Sequence, residues 1–211
     1  MNIRLSLWIP IGLSLAGCGH RASVGTTPPH QDAAPSISAE KSSSPPSSTG
    51  ESTAPDRQAR AKAASRMLFQ RLSARLTEAM TAKGPAGAID VCAKEARPIA
   101  QEVGALQGVS IGRTARRLRN PDNQPPEWAR ALIEDNPRTP RFIELGDQRT
   151  GALIPIFLKE KCLTCHGDPQ TIPTDVKEKL AALYPEDQAT GFAPGDLRGW
   201  FWVEVPSADT P

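Results

Sequence analysis

The chain has 211 residues, and its 25 lysines and arginines nearly balance its 23 aspartates and glutamates, which gives a formal net charge of +2. A charge this small does not indicate nucleic-acid binding, and no basic run is interleaved with aromatic residues, so we exclude a nucleic-acid partner. The chain is long enough for one domain with a sizeable core.

An apolar run near the N-terminus predicts export. Arg4 precedes a run from Leu5 to Ala16, which is too short to span a bilayer comfortably. The run ends in the sequence LAGC, which finishes at Cys18 and resembles the lipobox of bacterial lipoproteins. We therefore predict a lipoprotein signal peptide over residues 1–17; the alternative is an ordinary signal peptide with an incidental cysteine.

Lipidation of Cys18 would give the protein a membrane partner. In lipoproteins this cysteine is diacylated and becomes the new N-terminus, and its acyl chains anchor the protein stably to a membrane surface. Gly19 follows where an aspartate would resemble the inner-membrane retention signal of a Gram-negative host. We expect the protein on the periplasmic side of the outer membrane, or on the cell surface.

The next segment, residues 18–55, is rich in serine, proline, threonine and alanine. It has too few large apolar side chains to offset the entropy of ordering it, so we predict a disordered tether. His20 and His30 lie in this tether. Residues 56–206 form the predicted domain, and residues 207–211 form a C-terminal tail.

Apolar periodicity predicts two helices at the start of the domain. A stripe of Leu68, Leu72, Leu76 and Met80 indicates an amphipathic helix over 57–82, which the sequence KGP at 83–85 ends. A second helical pattern runs from Ile89 to Val103, carries Cys92 on its inner face, and has an alanine-rich face that would admit a flat cofactor.

Three later segments predict strands: GVSIG at 108–112, GALIPIFL at 151–158 and GWFWVEV at 199–205. Helices followed by strands in series indicate an α+β domain with an antiparallel sheet.

The sequence KCLTCHGDP, at 161–169, is open to three chemical interpretations. A disulfide is disfavoured because Cys92, Cys162 and Cys165 are an odd number, and the flanks lack the strand and helix of a thioredoxin-type pair. Zinc could use these cysteines with His166 as a Cys3His set, although Cys165 and His166 are adjacent and would both have to turn toward one ion.

Covalently attached haem uses the same residues with less strain. Two thiols separated by two residues can add to the two vinyl groups on one porphyrin edge, and the following imidazole can bind the iron. Cys162, Cys165 and His166 meet this requirement in order, and such attachment takes place outside the cytoplasm, in agreement with export. We therefore predict a single c-type haem.

The residue pattern alone does not identify the sixth iron ligand. The domain has no second histidine, and Met67 lies off the apolar stripe. Met80 on the stripe, Cys92 on the second helix and an open coordination position are the remaining choices.

Four segments together resemble a family of bacterial and cyanobacterial haem domains catalogued as a domain of unknown function: AIDVCAKEARPIA (88–100), GRTARRLRNPDNQPPEWAR (112–130), CLTCHG (162–167) and LYPEDQATGFAPGDLRGWFWVEV (183–205). The resemblance implies a PAS-like fold, one c-type haem and a His/Cys axial pair, with His166 and Cys92 as the matching positions. Ala115 departs from the family pattern, since a serine is expected there.

Arginines of the second segment are candidate partners for haem propionates, because guanidinium groups pair well with carboxylates. Arg113, Arg116, Arg117 and Arg119 cluster there, and Arg113 is the preferred candidate.

Two non-enzymatic functions follow. The first is one-electron transfer by a membrane-anchored monohaem cytochrome-like protein in the periplasm. The second is a haem-based redox or gas sensor that acts through a separate signalling protein, and Cys3His zinc binding is the remaining alternative. A thiolate ligand would favour ferric iron and lower the reduction potential.

Overall fold

The computed structural model describes residues 53–207, so Cys18, the predicted signal peptide and nearly all of the predicted tether lie outside the described residues. Helix α1 spans Ala54–Asp90 and begins three residues before the predicted start at Arg57. Thr53 caps it, because its side chain accepts a hydrogen bond from the Asp56 backbone while the Asp56 carboxylate accepts one from the Thr53 backbone. Among the described residues, no helix combines the length and apolar composition needed to cross a bilayer.

The predicted helix stop at 83–85 is a kink rather than an end. Gly84 takes a left-handed φ of 69°, which glycine adopts without steric cost, and Pro85 follows it. The helix then resumes to Asp90, so the predicted second helix continues the first one through a kink.

A π-helical turn, Val91–Glu95, separates α1 from helix α2, Ala96–Gln107. The Ala96 backbone N–H donates to the Val91 carbonyl five residues earlier, which defines the wider turn. Pro98 gives the physical reason, because it has no N–H for the Lys94 carbonyl and its ring crowds that carbonyl. Cys92 therefore sits on a widened turn, a feature often found at functional sites.

Four strands form one antiparallel sheet in the order β1-β4-β3-β2. Their bounds are Ser110–Thr114 for β1, Arg141–Leu145 for β2, Arg149–Phe157 for β3 and Leu197–Val205 for β4. The predicted α+β class and antiparallel sheet are confirmed. Strand β2 was not predicted, because it is a short edge strand whose side chains are only half-buried or exposed.

Helices α1 and α2 pack on one face of this sheet. The shared core includes Leu68 from α1, Val103 from α2 and Phe201 from β4. Ala96 and Ala100 are also buried in this core, so the alanine-rich face mainly lets α2 approach the sheet, and the prediction that it admits a flat cofactor is wrong for these two residues.

The opposite face of the sheet packs on helix α3, Arg130–Glu134, and the 3-10 turn before it. Ile133, Leu153 and Trp200 form this second core. Helix α4, Leu163–His166, and helix α5, Thr174–Leu183, lie in the long connection between β3 and β4. This connection contains the sequence KCLTCHGDP at 161–169, for which haem attachment was predicted.

Candidate functional site

The two closely spaced cysteines lie on adjacent short helical turns. A 3-10 turn, Glu160–Cys162, leads directly into α4, and residues three apart on helical backbone face the same side. Gly167 then ends α4, where a side-chain Cβ would meet the Leu163 carbonyl oxygen at 2.6 Å. Glycine at this position therefore avoids a clash and allows the chain to turn away from α4 directly after His166.

Cys162, Cys165, His166 and Cys92 all line one cavity, so the fold brings together the four residues that the sequence singled out. The cavity has a volume of about 160 Å³ and is partly open to solvent. Most of the other lining is apolar: Phe69, Leu76, Met80, Ala88, Ile89 and Phe157.

Of the three sulfur-containing residues considered for the sixth iron ligand, the structure places two at the site and one away from it. Cys92 and Met80 both line the cavity, while Met67 packs against the main core and accepts a 3.8 Å contact at sulfur from the Gln107 amide. Met67 is therefore remote from the site, as its place off the stripe predicted.

The imidazole of His166 has a fixed orientation. Its Nδ1 lies 2.7 Å from the Ala189 carbonyl oxygen, and since a carbonyl can only accept, Nδ1 carries the proton and Nε2 keeps a free lone pair. Burial, together with the nearby charges of Arg119 and Arg198, holds the pKa of His166 well below its usual value. The ring is neutral at pH 7 and ready to bind a metal through Nε2.

Arg119 holds three segments of this region together. Its guanidinium donates to the Asp187 carboxylate at 3.0 Å, to the Cys165 carbonyl at 2.6 Å and to the Ala189 carbonyl at 3.2 Å. Arg119 is 8% exposed and its partner carboxylate is nearly as buried. The residue therefore positions both Cys165 and the carbonyl that orients His166, and its Nε and Nη2 donors are already engaged within the protein.

The other arginines of the predicted cluster differ in whether they line a cavity near the site. Arg113 is half-buried and lines a second cavity, which shares His166, Cys162 and Arg119 with the first. Arg116 and Arg117 are exposed and do not line it. Arg113 is thus the predicted arginine best placed toward the site.

Sequence reasoning missed Arg198, which lines the second cavity beside Arg113. Its Nε and the Thr114 hydroxyl are buried without a hydrogen-bond partner among the described residues, and such orphaned groups indicate a missing partner. Burial, followed by the charges of Arg119 and Arg113, lowers the pKa of Arg198 to about 10. The sequence signal that could have identified Arg198 is its position in the segment 183–205, one of the four that resemble the haem-domain family.

The rival chemistries find less support. Within residues 53–207, no group of three or more histidine, cysteine, aspartate or glutamate side chains is arranged to hold a metal ion, which disfavours the Cys3His zinc site. Cys92, Cys162 and Cys165 are all free thiols. Burial raises the pKa of the Cys165 thiol, so it stays protonated near neutral pH.

Comparison with known proteins gives a consistent result. The family model described as Tll0287-like matches residues 48–206. Among solved structures, the crystal structure of the cyanobacterial haem protein Tll0287 is 26% identical, covers 73% of this chain and 97% of its own, and superposes with a TM-score of 0.52. No curated protein matches. The chain belongs to the Tll0287-like family.

Proposed function

We propose that this domain binds one haem covalently and that the membrane-anchored protein transfers single electrons in the periplasm. The observation that carries the proposal is the arrangement of Cys162, Cys165 and His166 along one apolar cavity, with the Nδ1 of His166 bonded to the Ala189 carbonyl. The related cyanobacterial structure is that of a haem protein. Haem bound here would supply a one-electron ferric/ferrous couple.

The donor set fits the attachment chemistry. Cys162 and Cys165 would hold the haem through thioether bonds, since each thiol can add across one vinyl double bond with its hydrogen going to the other vinyl carbon, which needs no oxidant and no reductant. His166 would bind the iron through Nε2, because Nδ1 is engaged with Ala189.

Cys92 is the proposed second axial ligand. It lines the same cavity from the π-helical turn, and it has no disulfide partner. As a thiolate it neutralises ferric charge and donates electron density, which favours the ferric state. Met80 lines the same cavity and is the competing ligand.

Arg113 and Arg198 are the proposed propionate partners. Both line the cavity that continues from the cysteines, together with Thr114. The unpartnered Nε of Arg198 and hydroxyl of Thr114 would each gain an acceptor from a carboxylate placed there. Arg113 adds a second cation beside them.

The rim of the cavity supports electron transfer. Phe69, Phe157 and Met80 line it and are 41%, 38% and 36% exposed, so one edge of a bound cofactor would lie close to a docked partner. Electron transfer needs only such proximity to an unidentified redox protein. We propose no enzymatic reaction at this site.

Haem attachment is tested directly by a denaturing gel. Protein matured in cells with haem-attachment machinery should keep its haem colour on the gel, because thioether bonds survive unfolding. Metal analysis should find iron close to one per chain. A colourless band together with bound zinc would reject haem and favour the Cys3His alternative.

Sensing is the second candidate, and the π-helical turn under Cys92 is the observation that favours it, since such turns are frequent at functional sites. Potentiometric titration with carbon monoxide or nitric oxide separates the two functions. Reversible one-electron behaviour without ligand binding is expected for transfer. Ligand binding that displaces Cys92 would indicate a sensor that signals to a separate protein.

Anchoring depends on Cys18, which is proposed to carry the acyl chains. Mass spectrometry of the mature N-terminus should find a lipid-modified Cys18, and membrane fractions should contain the protein. An unmodified N-terminus at another residue would show simple secretion and would remove the outer-membrane assignment.

A further inference from the structure

A separate cavity lies on the outer side of the Arg198 region. Its volume is about 420 Å³, and it is lined by Arg116, Arg117, Arg198, Asn136 and Phe192 among others. None of the residues assigned to haem attachment or axial ligation lines it. Its size is within the range of small-molecule sites.

The charge of this cavity is positive and uncompensated. Three arginines line it, and no carboxylate does. Asp187 is near enough to influence Arg198, but its carboxylate is engaged by Arg119 at 3.0 Å and by the Ala189 backbone N–H at 2.8 Å. Arg116 and Arg117 are exposed, so solvent screens part of this charge, but an anion in the cavity would be attracted by all three arginines.

The arginines keep donors available for a ligand. Within residues 53–207 the Arg116 side chain makes no hydrogen bond or ion pair, so all of its donors are available, and Arg198 is held in place because its Nη1 donates to the Arg117 carbonyl at 3.0 Å. Arg117 is already positioned, because it donates to the Gln188 carbonyl at 2.8 Å and to the Thr190 carbonyl. Its guanidinium also lies 4.2 Å from the centre of the Phe192 ring.

We propose that this cavity binds a small oxyanion, a phosphate or a short carboxylate, through Arg116, Arg117 and Arg198. Guanidinium groups match both anions because their N–H donors form pairs of parallel hydrogen bonds to two oxygens. Arg117 holds its plane against Phe192, Arg198 adds a positive charge at the wall that both cavities share, and Arg116 supplies donors that are not engaged elsewhere.

The anion site is coupled to the proposed haem site, and this step rests on the proposed function. Arg198 and Gly199 line both the outer cavity and the cavity next to His166. The Phe192 ring also meets the His166 ring edge-on, with centroids 6.4 Å apart. A bound anion would add negative charge beside residues that line the proposed haem cavity, which would stabilise ferric iron and lower the reduction potential.

The test is calorimetric titration of the haem-loaded protein with inorganic phosphate and, separately, with malonate, at constant ionic strength set by chloride. Saturable binding of at least one probe is expected, and the tighter probe identifies the ligand source. Arg116→Gln should weaken that binding roughly tenfold or more, as expected for loss of a charge-assisted hydrogen bond. Arg116 is exposed, so this variant should fold.

Arg130→Gln is the matched control, since Arg130 is 61% exposed and pairs with Glu127 away from the cavity. It removes the same charge and should bind as the wild type does. The proposal is overturned if neither probe saturates, or if Arg116→Gln and the control behave alike. Haem content should be measured on the same samples, so that the anion site and the proposed haem binding are tested separately. If the protein holds no haem but still binds the anion, only the proposed function is contradicted.

Discussion

Cys92→Ala should turn a six-coordinate, low-spin ferric protein into one with an open coordination position. The haem should stay attached, because the proposed thioether bonds to Cys162 and Cys165 do not involve Cys92. Loss of the anionic sulfur should raise the reduction potential, since ferric iron loses its charge partner. Optical and electron paramagnetic resonance spectra should lose their thiolate signatures, and added cyanide or imidazole should bind.

Met80→Leu is the matched control for this substitution, because Met80 lines the same cavity and leucine keeps a similar volume. Its spectra should match those of the wild type. If Met80→Leu changes the spectra and Cys92→Ala does not, the methionine is the sixth ligand. If neither variant changes them, a solvent molecule occupies that position.

Arg119→Ala should lower the free energy of unfolding by about 3–5 kcal/mol, the usual cost of breaking a buried ion pair from one side. The Asp187 carboxylate would be left buried without its cation, and the carbonyls of Cys165 and Ala189 would lose their donor. Chemical denaturation of the purified protein measures this loss. The orientation of His166 should loosen as well, because Ala189 accepts its Nδ1 proton.

Arg130→Ala serves as the comparison for that measurement. Arg130 is exposed and pairs only with the exposed Glu127, so its removal should change stability by about 0.5 kcal/mol or less. Equal effects of the two substitutions would mean that the Arg119–Asp187 pair contributes no more than a surface pair does.

The parts of the fold governed by local pattern were predictable. The observed strands Ser110–Thr114, Arg149–Phe157 and Leu197–Val205 lie within two residues of their predicted starts, because apolar and β-branched runs bounded by glycine leave few alternatives. Helix α5 was missed, although Val176 and Leu180 have helical spacing and are buried. Its pattern is short, and it becomes decisive only when Ile89 and Tyr184 pack against it.

The candidate site divides in the same way. Cys162, Cys165 and His166 were readable because the chemistry requires their spacing along the chain. Cys92 could only be placed on an inner helix face, since Pro98 is compatible with a helix end, a kink or a π-helical turn before it, and the packing of α1 and α2 selects among them. The Arg119–Asp187 pair joins positions 68 residues apart, and no local pattern links them.

The winding of the Val91–Glu95 turn also limits how Cys92 can move. Each residue of an α-helix turns the chain by about 100°, so removing the extra residue from this turn would rotate one flank against the other by that angle. Val91 is packed with Ala79 and Ala88, while Ala96 belongs to the core under the sheet, and both packings would be broken by such a rotation. Helices α1 and α2 therefore cannot rotate against each other by one residue at this turn. Any departure of Cys92 from a ligand must be a swing of its own side chain or a local melting of the turn, which leaves the sheet and its two cores undisturbed.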